Sequence, residues 1–255
     1  DLTFEFISSF EYFLQLKGYH INTIAKHMKH LKRHVNIAIN KEYIEIQKYA
    51  FRKYKIKTIE NKHTHLVPEE LERLENLILS DRYVKLQKSL DAFLFCCYAG
   101  MRYSDFINLS SENIVDINQE TWLIYKSVKT GTEVRLPLYL LFSGKGITIL
   151  NKYKDNLEDF FHLRDNSNIN KDLIIITRLA GLSKRISFHT ARHTNATLLI
   201  YNGINITTVQ KLLGHKSVKT TQIYTNVMDM TIIHDLEKMK QAIPIAGKKV
   251  DNSFK

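Results

Sequence analysis

The sequence predicts a mainly α chain in two parts: a small helical N-terminal domain and a larger, mostly helical domain with a short antiparallel hairpin or three-stranded sheet. Three observations carry this. Apolar residues recur at helical spacing through most of the chain. The period is lost in the polar, basic stretch KIKTIENKHTH, residues 55–65, and restarts at LVPEELERLENL. Only between residues 113 and 138 do β-rich runs appear, TWLIYKSV and EVRLPL on either side of KTGT, with its turn-favouring glycine.

In chain order, Phe4, Ile7, Phe10, Phe13 and Leu14 predict a first helix, with Gly18 as its stop. Ile24, Met28, Leu31 and Val35 step by four, three and four, so they line one face of a second helix. The same helix carries Lys26, Lys29, Lys32 and Arg33, interleaved with His27, His30 and His34. That density of positive charge predicts contact with phosphates; a solvated face is the plainer alternative. Periodicity extends to a third helix over residues 41–54. The domains are accordingly 1–60, 66–243 and a flexible tail, 244–255. The second domain opens on a helix whose first turn contains Pro68, with acidic residues near its positive end. A short first strand is expected over residues 113–117. LIIIT, 173–177, is too short to assign. From Phe188 onward successive helices are expected, with breaks at Asn202-Gly203 and Gly214, and a last helical pattern through Ile232, Leu236 and Met239.

Composition narrows the function classes. The 255 residues carry 37 basic and 26 acidic side chains, a formal charge of +11, which suits a polyanionic partner. The excess is concentrated at the start: residues 1–64 hold 12 Lys/Arg against 6 Asp/Glu. The two cysteines, Cys96 and Cys97, are adjacent inside the apolar run DAFLFCCYAG and read as small buried hydrophobes. No run of about 20 apolar residues is present to cross a membrane, and nothing reads as a signal peptide, so a cytoplasmic protein is expected.

The chemistry is concentrated in two stretches, AGMRYSDFINL at residues 99–109 and SFHTARHTNATLLIYNGINITTVQKLLGHKSVKTTQIY at residues 187–224. On a helix, His189 and Arg192 share a face one turn apart, and His193 stands one turn from His189. His215 follows Gly214, where a helix end can present its ring to a cleft, and Tyr224 comes nine residues later. Breaking a phosphodiester without a metal needs a nucleophile, positive donors for the non-bridging oxygens and an acid for the leaving oxygen. Arginine is suited to clamp the oxygens, and tyrosine can serve as a covalent nucleophile. His189 and His193 also have the spacing of a zinc-binding pair. The metalloprotease pattern would need a glutamate where Thr190 stands, so no metal site is assigned.

Taken together, these stretches resemble the tyrosine recombinase, or phage integrase, family. Its pattern has an arginine in a stretch like AGMRYSD, a lysine in a β-hairpin, an H-x-x-R box, and LLGH followed by a tyrosine, in this order. The resemblance covers nearly all of residues 66–240, and the basic first 60 residues look like the family's core-binding domain. It implies that Arg102 and Arg192 clamp the scissile phosphate and that His189 donates to it and assists proton transfer. It further implies that His215 adds a phosphate contact, that Lys129 is the general acid and that Tyr224 is the nucleophile. Asp105 would orient Arg102. His193 would stand behind these groups, with packing as its simpler role. Tyr201 and Lys126 are the alternatives for the nucleophile and the hairpin lysine.

The activity so implied is metal- and cofactor-independent cleavage and rejoining of double-stranded DNA at core attachment sites. It would proceed through a 3′-phosphotyrosine, in an integrase of a bacterial mobile element. A homotetramer on two duplexes, with accessory DNA-bending proteins and nucleoid association when bound, follows from the same resemblance. The segment after Met230 would be a packing arm. No stretch corresponds to the arm-binding domain that many relatives carry. A type IB topoisomerase and a catalytically silent DNA-binding relative are the alternatives.

Overall fold

The computed structural model describes residues 2–59 and 63–227. The expected last helix and the 244–255 tail lie outside the described residues. The chain divides into two compact units at Lys62/His63.

The first unit is built on α1 (Phe4–Leu16) and α2 (Ile21–Asn40). Thr3 caps α1 by accepting from the Phe6 N–H, and Gly18, at φ +74°, turns the chain toward α2. Ile7, Leu14, Ile24, Met28 and Val35 form the core, with Leu31 and Phe10 packed against it. The stripe read on α2 is thus buried, whereas Phe4 and Phe13 of α1 stay exposed.

The third helix expected over residues 41–54 does not form. Only a single turn of 3-10 helix, Ile46–Lys48, appears there. At the end of α2 the chain reverses through Glu42, at φ +61°, with Tyr43 donating back to the Ala38 carbonyl. Tyr43 and Ile46 then face solvent, and Ala50 and Phe51 alone of this stretch are buried in the core. Docking of Phe51 outweighed the periodicity, because a helix there could not bury the stripe that suggested it.

The second unit opens with α3 (Pro68–Glu75), with Pro68 at its first position and the Glu70 carboxylate accepting from the Val67 N–H at 3.0 Å. Helix α4 (Gln87–Ala99) is buried on every side from Ser89 to Ala99, so it forms the axis of the core. Cys96 and Cys97 lie within it, buried and unbridged, and burial pushes both thiols up. The short α5 (Tyr103–Phe106) follows, fixed by Phe106, whose ring meets those of Phe95, Phe160 and Phe188.

Strands β1 (Ile114–Ile117), β2 (Glu120–Lys126) and β3 (Glu133–Pro137) form the antiparallel sheet in the order β1-β2-β3. Leu123 and Tyr125 of β2 and Val134 and Leu136 of β3 supply its buried face, paired Leu123 to Leu136 and Tyr125 to Val134. This is the expected hairpin with its short first strand. Helices α6 (Lys145–Lys152), α7 (Leu157–Phe161) and α8 (Asn166–Leu179) come next. The unassigned LIIIT run belongs to α8, where Leu173, Ile176 and Thr177 face inward at helical spacing. Helices α9 (Phe188–Tyr201) and α10 (Ile206–Leu212) follow, separated by Asn202-Gly203 as expected.

Candidate functional site

The site is assembled around α9, which is buried from Thr190 to Ile200 and packs against α4. Burial of that length fixes both the rotation and the height of the helix. Asn195, which the sequence did not single out, fixes it further: its amide donates to the Cys97 and Tyr98 carbonyls, both at 2.9 Å. The approach is so close that a Cβ on Gly100 would stand 2.6 Å from Asn195 Oδ1. Glycine also supplies the φ of +68° that ends α4.

Arg192 is 1% exposed. Its guanidinium donates to the Gly100 carbonyl at 2.8 Å and to the Leu213 carbonyl at 2.6 Å. One arginine therefore joins the end of α4, which leads into Arg102, to the end of α10, which leads into His215. Burial, then repulsion from Arg102, lowers its pKa to about 10, so it remains charged at neutral pH. Two of its five N–H groups are used on these carbonyls, leaving others for a ligand.

Arg102 precedes the first turn of α5 and donates to Ser127 Oγ at 3.2 Å and to Asp105 Oδ2 at 3.4 Å. The Asp105 carboxylate is fully buried; it also accepts from Ser127 Oγ and from the Val128 N–H at 2.9 Å. Ser127, unremarked in the sequence, thus ties the Arg102 turn to the β2–β3 hairpin two residues before Lys129. The only sequence cue was that proximity to Lys129. Lys129 is exposed at the tip of the turn, and Lys126 is exposed at the end of β2, opposite Glu133. The turn is pinned by Thr130 Oγ1, which donates to the Gly214 carbonyl at 3.3 Å.

His215 follows a helix end in which Gly214 N–H bonds the Lys211 carbonyl and His215 N–H the Gln210 carbonyl. Its ring is buried, with Nδ1 2.9 Å from Thr221 Oγ1. Burial, then the charges of Arg192, Arg102 and Lys129, lower its pKa to about 3. His189 keeps an exposed edge, but enough protein crowds its ring that desolvation, followed by the two arginines, lowers its pKa as well. His193 is buried and held near 3 by burial and then by its neighbours His189 and His63. All three rings are neutral at pH 7.

Tyr224 is 3% exposed, and its ring centroid lies 5.5 Å from that of His193. Burial raises its phenol pKa, and Arg192 and Arg102 oppose that rise. Tyr201 is 39% exposed at the far end of α9, ~13 Å along the axis from Arg192 by helical rise. Arg102, Lys129 and Arg192 thus act together on the His189 and His215 rings, and the two arginines act on Tyr224; Asp105 is bonded to Arg102, and His193 contacts the His189 and Tyr224 rings. Among the described residues, no group of three or more His, Cys, Asp or Glu side chains is placed to hold a metal ion.

In the first unit the four basic residues separate. Lys26, Lys29 and Arg33 line one groove with Asn22, His30, Thr58 and Ile59. Asn22 holds the groove's far wall by bonding both the N–H and the carbonyl of Ile59. Lys32 leaves this set: its ammonium sits 6.0 Å over the Phe51 ring.

Residues 64–230 match the phage integrase family, and residues 1–56 match the phage integrase SAM-like domain. The chain belongs to the phage integrase family. A tyrosine recombinase of Pseudothermotoga lettingae is 29% identical over 181 residues, 69% of this chain and 60% of that relative. Another, of Thermosipho africanus, is 32% identical over 160 residues, 60% of this chain and 54% of the relative. The chain thus spans at most about three fifths of these relatives' length.

Among solved structures, the Tn1549 transposon integrase in complex with a circular intermediate DNA superposes with a TM-score of 0.71 at 16% identity, covering 93% of this chain and 86% of that one. A lambda integrase dimer bound to a COC′ core site gives 0.65 at 21% identity, covering 88% and 80%. At these identities the likeness establishes the fold.

Proposed function

We propose that this chain is a site-specific tyrosine recombinase that cuts and rejoins double-stranded DNA, integrating or excising a mobile element. One observation carries the reading above the others. Arg102 and Arg192 act on the buried Tyr224 phenol, the same two arginines and Lys129 act on His189 and His215, and the buried Asp105 carboxylate is bonded to Arg102. Such a centre stabilises the extra negative charge of a phosphoryl transition state.

The Tyr224 oxygen attacks the scissile phosphorus. As the new O–P bond forms, the bond to the 5′-oxygen breaks, leaving a 3′-phosphotyrosine and a 5′-hydroxyl. The raised pKa keeps the phenol protonated at rest. Its proton must leave during attack, and the neutral His189 imidazole is chemically able to assist. Arg102 and Arg192 neutralise the non-bridging oxygens, and His215 adds a contact. Lys129 protonates the departing 5′-oxygen. Asp105 and Ser127 hold Arg102 and the hairpin in register. The 5′-hydroxyl of a partner duplex then attacks the phosphotyrosine, reversing the bond changes and freeing Tyr224.

Lys26, Lys29 and Arg33 contact the backbone of the core site from the first unit. Strand exchange between two duplexes requires four such centres, and a homotetramer is the assembly that supplies them. Accessory DNA-bending proteins would serve to bring the sites together.

The test is a nicked suicide substrate carrying a candidate attachment site, incubated with the protein in EDTA and resolved on a denaturing gel. A covalent adduct that is absent from Tyr224→Phe supports the chemistry and the nucleophile. Bound DNA without an adduct would instead support a catalytically silent DNA-binding protein.

A further inference from the structure

We propose that His63 is a positioning residue for the nucleophile, acting through His193; this rests on Tyr224 being the nucleophile. His193 is the hub of a ring cluster. Its centroid lies 4.5 Å from His63, stacked at 28°, 4.6 Å from His189, edge to face, and 5.5 Å from Tyr224. The ring is buried, yet its Nδ1 has no hydrogen-bond partner among the described residues. No hydrogen bond through that nitrogen sets the ring's orientation, so its neighbours' faces must. Two of the rings packed on it, His189 and Tyr224, are the groups assigned to the chemistry. His63 is stacked on His193.

His63 can do this because the segment that bears it is fastened to the same helix. Three residues on, the Leu66 N–H donates to Thr194 Oγ1 at 2.9 Å in a buried bond, and Thr194 is the residue after His193. Lys184 Nζ donates to the His65 carbonyl at 3.2 Å, holding the segment from a second side. Leu66 is fully buried. Residues 63–66 therefore form a strap across α9, and His63 is its contact with His193. A ring removed there leaves His193 free to rotate toward the vacated space, and Tyr224 loses the surface against which it is aligned. Misplacement of a nucleophile by a fraction of an ångström slows attack without weakening DNA binding.

The experiment uses the full chain with His63→Ala, His63→Phe and Tyr224→Phe. Single-turnover adduct formation is followed at saturating suicide DNA, with DNA affinity measured separately. The aromatic ring signals of His193 and Tyr224 are compared by NMR in the free proteins. His63→Ala is expected to slow adduct formation about tenfold at saturation, with unchanged affinity and shifted His193 and Tyr224 signals. His63→Phe, which keeps a ring in the stack, restores most of the rate. A wild-type rate in His63→Ala overturns the proposal. So does a His63→Phe as slow as His63→Ala, or a loss confined to DNA affinity, which would make His63 a DNA contact. An adduct in Tyr224→Phe overturns the nucleophile assignment itself; its absence beside an unimpaired His63→Ala overturns His63 alone.

Discussion

Gly214→Ala tests how the hairpin and the His215 turn are held together. Gly214 has φ +62°, a left-handed conformation that costs an alanine ~1–2 kcal/mol. A Cβ there would also stand 2.6 Å from Val134 Cγ2, and Val134 is 1% exposed on β3. A β-branched side chain in a packed sheet has nowhere to rotate, so relieving the overlap adds ~1–3 kcal/mol. The sum, ~2–5 kcal/mol, lowers the melting temperature by about 5–15 °C for a unit of this size. Because the Gly214 carbonyl accepts from Thr130, the displaced turn also carries Lys129 and His215 out of register. Adduct formation should fall by about tenfold even well below the melting point.

The clash is isolated by adding Val134→Ala. That change alone leaves a small cavity, costing ~1–3 kcal/mol. With the methyl removed, Gly214→Ala should cost only its backbone share, so the double variant loses less than the sum of the singles. The assay is thermal or urea unfolding of all four proteins in a double-mutant cycle. Strict additivity, or a Gly214→Ala protein melting with the wild type, would refute the packing argument.

Arg102→Ala and Arg192→Ala should each reduce cleavage by on the order of a thousandfold in the suicide assay. Both should also lose stability: Arg192→Ala strips charged donors from two buried carbonyls, at ~1–3 kcal/mol each, and Arg102→Ala leaves the fully buried Asp105 carboxylate without its cation. The fold should weaken in acid as the buried histidines resist protonation. His193 and His215 titrate near 3 when folded and near 6.5 when unfolded. As pH falls from about 6.5 toward 3 the unfolded chain gains protons that the folded chain refuses. Melting curves across that window should show stability dropping, with a shallower slope in His193→Gln. DNA affinity should fall steeply with salt, and Lys26→Ala, Lys29→Ala and Arg33→Ala should each lower the logarithmic slope by about 1. Lys32→Ala should change the slope least, because its ammonium lies over Phe51; an equal effect from all four would place Lys32 on the DNA as well.

Local pattern sufficed wherever one element carried its own signal. The period of α2, the β2–β3 hairpin around Gly131, and the breaks at Gly203 and Gly214 are written in residue spacing and in the few residues that tolerate positive φ. So were the reactive types: His189 and Arg192 share one helix face by their spacing alone. Signals that depend on partners from elsewhere in the chain were not legible. Residues 41–54 buried only Ala50 and Phe51 rather than a full stripe, so their periodicity made no helix, while LIIIT became helical because α8 offered Leu173 and Ile176 to the core.

The site shows the same division. Residue types alone dictate which groups can bind and attack a phosphate, because an arginine's charge and a tyrosine's hydroxyl are properties of the residue. Packing of distant elements buries Arg192 and shares it between the Gly100 and Leu213 carbonyls, 92 and 21 residues away. The same packing sets Ser127 against Asp105, Asn195 against the end of α4, and His63 on His193. Those contacts arise when separate elements meet, and a buried polar group takes whichever partner the packing brings within hydrogen-bonding distance.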